Sequence, residues 1–262
     1  MIEQESDVIF NKKVADGTFL MGLRSYEIAS GAKPGQFVML RVRQGFDPLL
    51  RRPFSICGTR EDDIFLILYR LVGRGTTILS HVGEGTKLSV TGPLGKGFDI
   101  PKPGRKSLLI AGGIGIAPLI FLARKIKMID LIFMAGYGSV KEVIDLESAG
   151  LKVPDIRIAT DDGTLGHKGL VTDLLESYMT MSGNEMFKVF SCGPLHMLKR
   201  IAAITINSGA ECQVSLEASM ACGLGACQSC AVKSSSDQGM VYYHVCRDGP
   251  VFPAKSIDWK SI

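Results

Sequence analysis

The chain has 262 residues, of which 46% are hydrophobic and 21% are charged, and its formal net charge is +4 at pH 7. This length suits two or three globular domains. The charge includes no basic block and no alternation of basic and aromatic residues, which argues against nucleic-acid binding. The acidic N-terminus and the glycine-interrupted apolar stretch at 108–123 predict neither a secretory signal nor a membrane span, so we expect a cytoplasmic protein.

The first unit, residues 1–102, is expected to form an antiparallel β-barrel. Short apolar strands are predicted at 37–42 and 64–69, and turns are predicted at 33–35 and 91–95. Strands this short and this closely spaced are typical of a small closed barrel.

Three fragments of the barrel carry residues suited to a flavin. The segment 51–56, expected where a strand ends, offers arginine for a phosphate and serine for a flavin edge. Residues 68–70 add an aromatic ring and another arginine, and residues 73–77 precede an apolar helical stretch whose N-terminus would favour phosphate. Each fragment alone is also compatible with ordinary barrel surface.

The second unit, residues 103–212, is expected to be a doubly wound parallel sheet. A continuous apolar strand at 107–111 is followed by a glycine-rich turn and a helical run at about 118–127. Strands that alternate with helices indicate parallel pairing. Further strands are predicted at 131–135, 156–159 and 189–191.

The carboxyl ends of these strands offer a site for a nicotinamide dinucleotide. Gly112, Gly113 and Gly115 follow a strand and open a helix, where the backbone can approach a pyrophosphate, although such a pattern is often a plain turn. The segment Cys192, Gly193 and Pro194 ends a later strand. Its thiol is suited to pack against a nicotinamide ring, or else it is an inert small hydrophobic group.

Two carboxylates, Asp161 and Asp162, end another strand. Carboxylates suit ribose hydroxyls and repel a 2′-phosphate, so the segment favours NAD over NADP. The alternative is a loop in which the aspartates only stabilise turns.

The third unit, residues 213–262, contains the strongest signal, which is a cluster of cysteines. Cys222, Cys227 and Cys230 have the four-then-two spacing of a plant-type [2Fe–2S] loop, and Cys246 follows after fifteen residues. Small residues between them would let backbone N–H groups point at the sulfurs. The alternative is a structural zinc site, but zinc ligands usually come in two pairs rather than three plus one. The last gap is shorter than in plant ferredoxins.

The order of these motifs resembles the ferredoxin–NADP reductase superfamily. Within it, the chain is most similar to the electron-transfer subunits of bacterial NAD-dependent dihydroorotate dehydrogenases (class 1B). Related subunits of sulfide dehydrogenase and ferredoxin–NADP transhydrogenase look similar but carry aspartate in place of one cluster cysteine. The motifs that carry the resemblance lie at 51–55, 68–70, 75–76, 92–98, 112–115, 192–194, 217–230 and 246–252.

The resemblance implies residues for two cofactors. FAD would lie on Arg52, Pro53, Phe54, Ser55, Leu68, Tyr69, Arg70, Gly75 and Thr76. The [2Fe–2S] cluster would lie on Cys222, Cys227, Cys230 and Cys246.

The resemblance also implies an electron relay in pyrimidine biosynthesis. Electrons would pass from NADH to FAD, then singly through the cluster to a partner chain that contains FMN and converts dihydroorotate to orotate. The assembly would be a heterotetramer with two copies of each chain. Because an electron must leave the cluster, its loop should lie near an interface, where Met220 and Leu224 would contact the partner or else pack internally. No catalytic acid or base is expected here, so His81, His167, His196 and His244 are expected at structural or surface positions.

An assembly scaffold that lends its cluster is one alternative, but such a protein would not need the flavin motifs. Two other interpretations remain open at this point. One is a related NAD(P)H–ferredoxin or sulfide-type oxidoreductase subunit that passes electrons to another acceptor. The other is a zinc-stabilised module that senses NAD without redox chemistry, and such a protein would be colourless.

Overall fold

The computed structural model describes residues 2–61, 63–151, 153, 155–183, 185–236 and 241–262. Six strands of the first unit close into an antiparallel barrel in the order β1-β2-β5-β4-β3-β6. Two short helices join them, α1 (Tyr26–Gly31) and α2 (Arg74–Ser80). The strands are β1 (Ile2–Ala15), β2 (Thr18–Arg24), β3 (Phe37–Arg41), β4 (Arg52–Arg60), β5 (Ile64–Arg70) and β6 (Lys87–Leu94).

The barrel closes around side chains that the strands direct inward. Val38 and Leu40 on β3, Ile56 on β4 and Phe65 and Ile67 on β5 have almost no solvent exposure and share one apolar cluster. Their spacing of two residues places them on one face of each strand. The strands predicted near 37–42 and 64–69 and the turn predicted at 33–35 are confirmed.

Two predictions in the barrel are wrong. The segment 91–95 is not a turn, because β6 continues to Leu94 and Thr91 pairs with Met39. Pro93, which has no N–H, lies at an irregularity of the β3–β6 pairing, where a strand tolerates proline. The segment 51–56 does not end a strand, since β4 begins at Arg52.

The second unit is a seven-stranded sheet of described residues in the order β10-β9-β8-β7-β11-β12-β15. All its pairings are parallel except that of β15 with β12. The strands are β7 (Ser107–Gly112), β8 (Leu131–Tyr137), β9 (Ile156–Thr160), β10 (His167–Lys168), β11 (Lys188–Cys192), β12 (Glu211–Ser215) and β15 (Val251–Pro253).

Helices cover both faces of this sheet, as predicted. The helices are α3 (Ile116–Ala123), α4 (Val171–Met181) and α5 (Leu195–Ser208), and short 3₁₀ turns lie at 113–115, 128–130, 140–142 and 254–256. Leu108 and Ile110 of β7 pack towards α4 and α5, whereas Leu109 and Ala111 pack towards α3. Helix α3 is buried throughout, because it lies between the sheet and strand β4 of the barrel. It begins two residues before the predicted start and ends four residues before the predicted end.

The cysteine-rich unit folds onto the edge of this sheet. It contains the hairpin β13 (Ala231–Lys233) and β14 (Tyr242–His244), followed by the one-turn helix α6 (Val245–Asp248). The predicted boundary between residues 212 and 213 is wrong, because it cuts β12. The division into three domains stays a prediction, with its second boundary moved beyond Ser215.

The unit shares its apolar core with the sheet. Cys230, Val232 and Val245 join the same buried cluster as Val214 and Leu216. No helix among the described residues is long and apolar enough to cross a membrane.

A substitution at Asn11 tests how much the hydrogen bonds of its side chain stabilise the barrel. Its side-chain amide donates to the Leu79 and Val82 carbonyls at 2.9 and 3.0 Å, and it accepts from the Tyr69 hydroxyl at 2.9 Å. Asn11→Ala should lower the free energy of unfolding by about 2 kcal/mol, because the Tyr69 hydroxyl loses its partner. Urea denaturation followed by circular dichroism measures this. Asn207→Ala, at an exposed site on α5, should change it little, and equal losses in both variants would contradict the assignment.

Candidate functional site

A cleft of about 420 Å³ lies where the barrel, the parallel sheet and the cysteine-rich unit meet. Gly115 and Cys192 of the sheet domain line it, and so do residues 215–218 and Met220 at the start of the cysteine-rich segment. The nine residues predicted to hold a flavin all line this cleft: Arg52, Pro53, Phe54, Ser55, Leu68, Tyr69, Arg70, Gly75 and Thr76.

The aromatic wall of the cleft is rigid. Tyr69 is 1% exposed, and its ring stacks on Phe19 with centroids 5.6 Å apart and meets the edge of Phe54 at 5.7 Å. Burial raises the pKa of the Tyr69 hydroxyl to about 12, so this group stays neutral. Tyr69 therefore shapes the cleft without contributing charge to it.

One end of the cleft suits a phosphate. The Thr76 hydroxyl accepts from the N–H groups of Val72 and Gly73 at 3.0 and 3.2 Å, which orders the loop that opens α2. Arg52 lies across this loop, and a Cβ on Gly75 would come within 3.0 Å of its Nε. A guanidinium beside ordered backbone N–H groups is suited to an anion.

The two neighbouring arginines have different roles. Arg51 leaves the cleft and bonds Ser89 and Glu3 on the outside of the barrel. Only Arg52 of the pair lines the cleft. The resemblance had selected Arg52, but the residue types alone do not separate the two arginines, because the pattern does not tell which of two adjacent residues faces the cleft.

The first space is called the flavin cleft below, after the ligand predicted for it. A second pocket, of about 330 Å³, lies at the carboxyl edge of the parallel sheet and is called the dinucleotide pocket. Of the residues predicted for the dinucleotide, Gly112, Gly113 and Pro194 line this pocket, whereas Gly115 and Cys192 line the flavin cleft. Arg70 lines both, so the two spaces adjoin. This is the edge at which doubly wound sheets bind their ligands.

Gly115 and Gly193 allow two turns of the chain to touch between these spaces. A Cβ on Gly115 would lie 2.3 Å from the Cys192 carbonyl oxygen, and one on Gly193 would lie 2.8 Å from the Gly112 nitrogen. Since both obstacles are backbone, no rotamer change can relieve them. The glycines therefore bring the β7–α3 turn against the end of β11.

The two aspartates after β9, Asp161 and Asp162, lie in different environments. Asp161 lines the dinucleotide pocket. Asp162 instead accepts from the backbone and hydroxyl of Thr164 at 3.0 and 2.6 Å, which lowers the pKa of its carboxyl. Asp162 thus stabilises a turn, and Asp161 faces the ligand space.

Sequence reasoning missed several residues of these spaces, including Glu142, Arg200 and Glu217. His196 was expected at a structural or surface position, yet it lines the dinucleotide pocket, as does Glu142. Glu217 lies on the wall of the flavin cleft. Its carboxyl is accessible from the cleft but surrounded by protein, and this loss of solvation raises its pKa. The motif at 217–230 begins with Glu217 but assigns no role to its carboxyl, because the position of Glu217 depends on the path of the chain after β12.

Cys192 is an unreactive wall of the flavin cleft. It is 2% exposed, and burial raises the pKa of its thiol to about 12. Its thiol therefore stays protonated and behaves as a small hydrophobic group.

The four clustered cysteines stand as two pairs. The Cys230 and Cys246 sulfurs lie 3.3 Å apart and are almost without solvent exposure. Cys227 is exposed and hydrogen-bonded to Cys222, which is half-buried. Within the described ranges, no group of three or more His, Cys, Asp or Glu side chains is placed to hold a single metal ion. Two pairs of thiols match the two irons of a [2Fe–2S] cluster.

The loop between these cysteines directs N–H groups at sulfur. The Leu224 N–H donates to Cys222 Sγ at 3.3 Å, and the Gly225 N–H donates to Cys246 Sγ at 3.0 Å. Gly223 and Gly225 have φ of +72° and +80°, which a side chain would strain. N–H groups that point at sulfur stabilise thiolates, so the loop fits the predicted cluster.

The outer and inner thiols differ in acidity. Hydrogen bonds from the Ser229 side chain, from the Ser229 backbone and from Cys222 lower the pKa of Cys227 to about 6. Burial and the neighbouring Cys230 raise the pKa of Cys246 to about 12. Metal coordination deprotonates such thiols, whatever their pKa in the free protein.

The chain matches a family described as the iron-sulfur cluster binding domain of dihydroorotate dehydrogenase B, over residues 217–258. It is similar over most of its length to three relatives named dihydroorotate dehydrogenase B (NAD(+)), electron transfer subunit. The relative from Desulforamulus reducens is 39% identical over 94% of this chain and 95% of its own length. Those from Caldanaerobacter subterraneus and Bacillus mycoides are 39% and 38% identical, each over 97% of this chain and 98% of the relative.

Solved structures share the fold. A structure described as an NADH-dependent reduced ferredoxin-NADP oxidoreductase, from work on flavin-based electron bifurcation, superposes with a TM-score of 0.82 and 27% identity, over 97% of this chain and 90% of that one. A ferredoxin NADP+ reductase from Neisseria gonorrhoeae, with bound FAD and NADP, superposes with a TM-score of 0.63 and 15% identity, over 79% and 92%. The likeness to the second protein concerns the fold alone.

Gly115→Ala tests the contact between the two turns. A methyl group must push the β7–α3 turn away from the Cys192 carbonyl, so NADH binding should weaken about tenfold or more, or ~1.4 kcal/mol. Titration of the flavin-loaded protein with NADH measures the change. Gly138→Ala, in the adjoining dinucleotide pocket, is the control, because a Cβ at Gly138 would make an ordinary contact of 3.5 Å with Glu142. Tight NADH binding by the Gly115 variant would refute the requirement for close turns.

The raised pKa of the Glu217 carboxyl predicts that the free energy of unfolding depends on pH. Because its pKa is raised above 4.5 in the folded chain, the unfolded chain releases this proton first as the pH rises. The stability of the wild type relative to Glu217→Gln should therefore fall as the pH rises above about 4.5 and level off beyond the folded pKa. Thermal unfolding of flavin-free protein from acid to neutral pH measures this difference. Glu147→Gln, in an exposed loop, is the control, and identical profiles for wild type and Glu217→Gln would show that the environment of Glu217 does not matter.

Proposed function

The chain belongs to the family of dihydroorotate dehydrogenase B electron-transfer subunits, and on this premise we propose that it carries electrons between NAD(H) and a dihydroorotate-oxidising partner chain. One observation carries the proposal. A single cleft is lined by the barrel, by the end of β11 in the sheet domain and by the segment that leads to the four cysteines. A flavin in this cleft would adjoin both the dinucleotide pocket and the cysteine loop.

The bound groups supply the redox chemistry: FAD exchanges two electrons with a nicotinamide, and a [2Fe–2S] cluster carries one at a time. The residues of this chain bind and orient them. Arg52 and the loop before α2 would hold the flavin phosphates, and Ser55 would bond the edge of its ring. Tyr69 and Phe54 would fix the position of that ring from one side.

The dinucleotide would lie across the carboxyl edge of the sheet. Its pyrophosphate would lie over Gly112 and Gly113, where the backbone is open. Its nicotinamide would reach the flavin beside Cys192, which lines the cleft from the end of β11. The neutral thiol there excludes water without competing for the hydride.

The cysteine loop would hold the cluster close to the flavin. Ala218 and Met220 line the flavin cleft, and Cys222 follows two residues later. A Cβ on Gly223 would contact Met39 of the barrel at 2.7 Å, so the loop lies directly on β3. The iron–sulfur family match supports this reading over a zinc-stabilised module.

The partner would approach the exposed side of this loop. Leu224 is 49% exposed there, as a contact residue should be. Met220 was expected beside it, but Met220 packs against the core and lines the flavin cleft. We propose an FMN-containing catalytic chain as the partner, in a cytoplasmic heterotetramer with two copies of each chain.

Composition of the purified protein tests the cofactors. We expect a coloured protein with FAD, and with about two irons and two acid-labile sulfides per chain. A colourless protein, or one loaded with zinc, would contradict the proposed function.

Cys227→Ala tests the order of the relay. Loss of this thiol should abolish electron delivery to the catalytic partner but spare NADH oxidation by an artificial acceptor that takes electrons from the flavin. Steady-state assays with each acceptor measure the two activities. Cys212→Ala, which removes a buried thiol of β12 that is not one of the four clustered cysteines, should retain both. Full delivery to the partner by Cys227→Ala would show that the electrons take another route.

A further inference from the structure

The charges around the dinucleotide pocket point to a mechanism of coenzyme choice. Its charged lining residues are Arg70, Glu142, Asp161 and Arg200, and His196 lies beside them. The inference below deepens the proposed function and rests on it, because it assumes that this pocket takes the dinucleotide.

The sheet order fixes which end of the pocket receives the adenosine. The nicotinamide must meet the flavin beside Cys192 at the end of β11, and the pyrophosphate would lie over the turn that follows β7. Strands β8 and β9 come next in the sheet, on the side away from β11. The adenosine ribose therefore lies over the ends of β8 and β9, beside Asp161.

Both arginines that line this pocket are already paired. Arg70 forms two contacts with the Glu142 carboxylate, at 2.9 and 3.5 Å. Arg200 on α5 reaches across to α4, where its Nη2 lies 2.9 Å from Asp173 and 3.0 Å from Glu176. Its Nε adds a third contact with Glu176 at 3.3 Å.

The first turn of α4 places this network over the adenosine end. A Cβ on Gly136 at the end of β8 would lie 2.9 Å from Val171, the first residue of α4. Asp173 follows two residues later, and its other oxygen accepts from the Leu170 N–H at 2.9 Å. Asp173 is thus anchored to the backbone while it holds Arg200.

Asp161 adds a negative charge at the same place. Among the described residues, no hydrogen bond or ion pair engages its carboxylate. Lys168 lies nearby, but its stem packs over Gly163 and it does not line the pocket. A ribose hydroxyl can donate to Asp161, whereas a 2′-phosphate would meet a carboxylate and, among the described residues that line the pocket, no unpaired arginine or lysine.

We propose that Asp173 and Glu176 select against a 2′-phosphorylated coenzyme by withholding Arg200, while Asp161 repels the same phosphate. Arginine is the side chain that such phosphates require. The pocket thus has a suitable guanidinium, that of Arg200, but the carboxylates of Asp173 and Glu176 on α4 neutralise its charge. These residues act as specificity determinants and take no part in the redox step.

The test compares NADH and NADPH as electron donors to an artificial acceptor, with flavin-loaded protein. Glu176→Ala removes two of the three contacts to Arg200 and should raise kcat/KM for NADPH about tenfold, with a much smaller change for NADH. Asp161→Asn should act in the same direction. Glu185→Ala is the control, because it removes an equal charge that pairs with Lys106 at the start of β7.

The double variant Glu176→Ala, Arg200→Gln separates a released arginine from a general loss of negative charge. The gain with NADPH should disappear in it, since the freed guanidinium is what binds the phosphate. A gain that persists without Arg200, or an equal gain in Glu185→Ala, would overturn the inference. If the wild type oxidises neither coenzyme, the dinucleotide site itself is wrong and the proposed function fails with it.

Discussion

The pairing of β15 with β12 determines where the cysteine-rich segment can lie. Val214 pairs with Phe252, and the Leu216 N–H donates to the Pro250 carbonyl at 2.9 Å, so both ends of the segment are held together at the sheet edge. The Lys96 N–H, at the end of the barrel, donates to the Gly249 carbonyl beside this clamp. Because all three units meet here, the loop that bears the cysteines has to fold back over the cleft that the other two form.

Much of this architecture follows from local sequence. The apolar runs at β5 and β7, the glycines after β7 and the spacing of Cys222, Cys227 and Cys230 each reflect a constraint that acts within a few residues. A strand needs its alternating or continuous apolar run, and a thiolate loop needs its spacing. Local features of this kind can be recognised in the sequence without knowledge of the tertiary structure.

The remainder depends on contacts between distant residues. Pro93 suggests a turn until its place at an irregular pairing is known, and without the resemblance the residue types do not tell which of Arg51 and Arg52 faces the cleft. The three-residue strand β15 is too short to carry a pattern, yet it returns the end of the chain to the parallel sheet beside β12. Glu217 enters the flavin cleft only because the chain turns back after β12. Each is a consequence of tertiary structure that propensity alone does not encode.

The cysteines differ in solvent exposure, and this difference affects how long a bound cluster would survive. Cys230 and Cys246 are sealed inside the core, whereas Cys227 is open to water. Chelators and oxidants arriving from solution would therefore reach Cys227 first, and damage to a bound cluster would begin on this outer side. A partner protein that binds over the exposed Cys227 would therefore also protect the metal from oxidation and chelation.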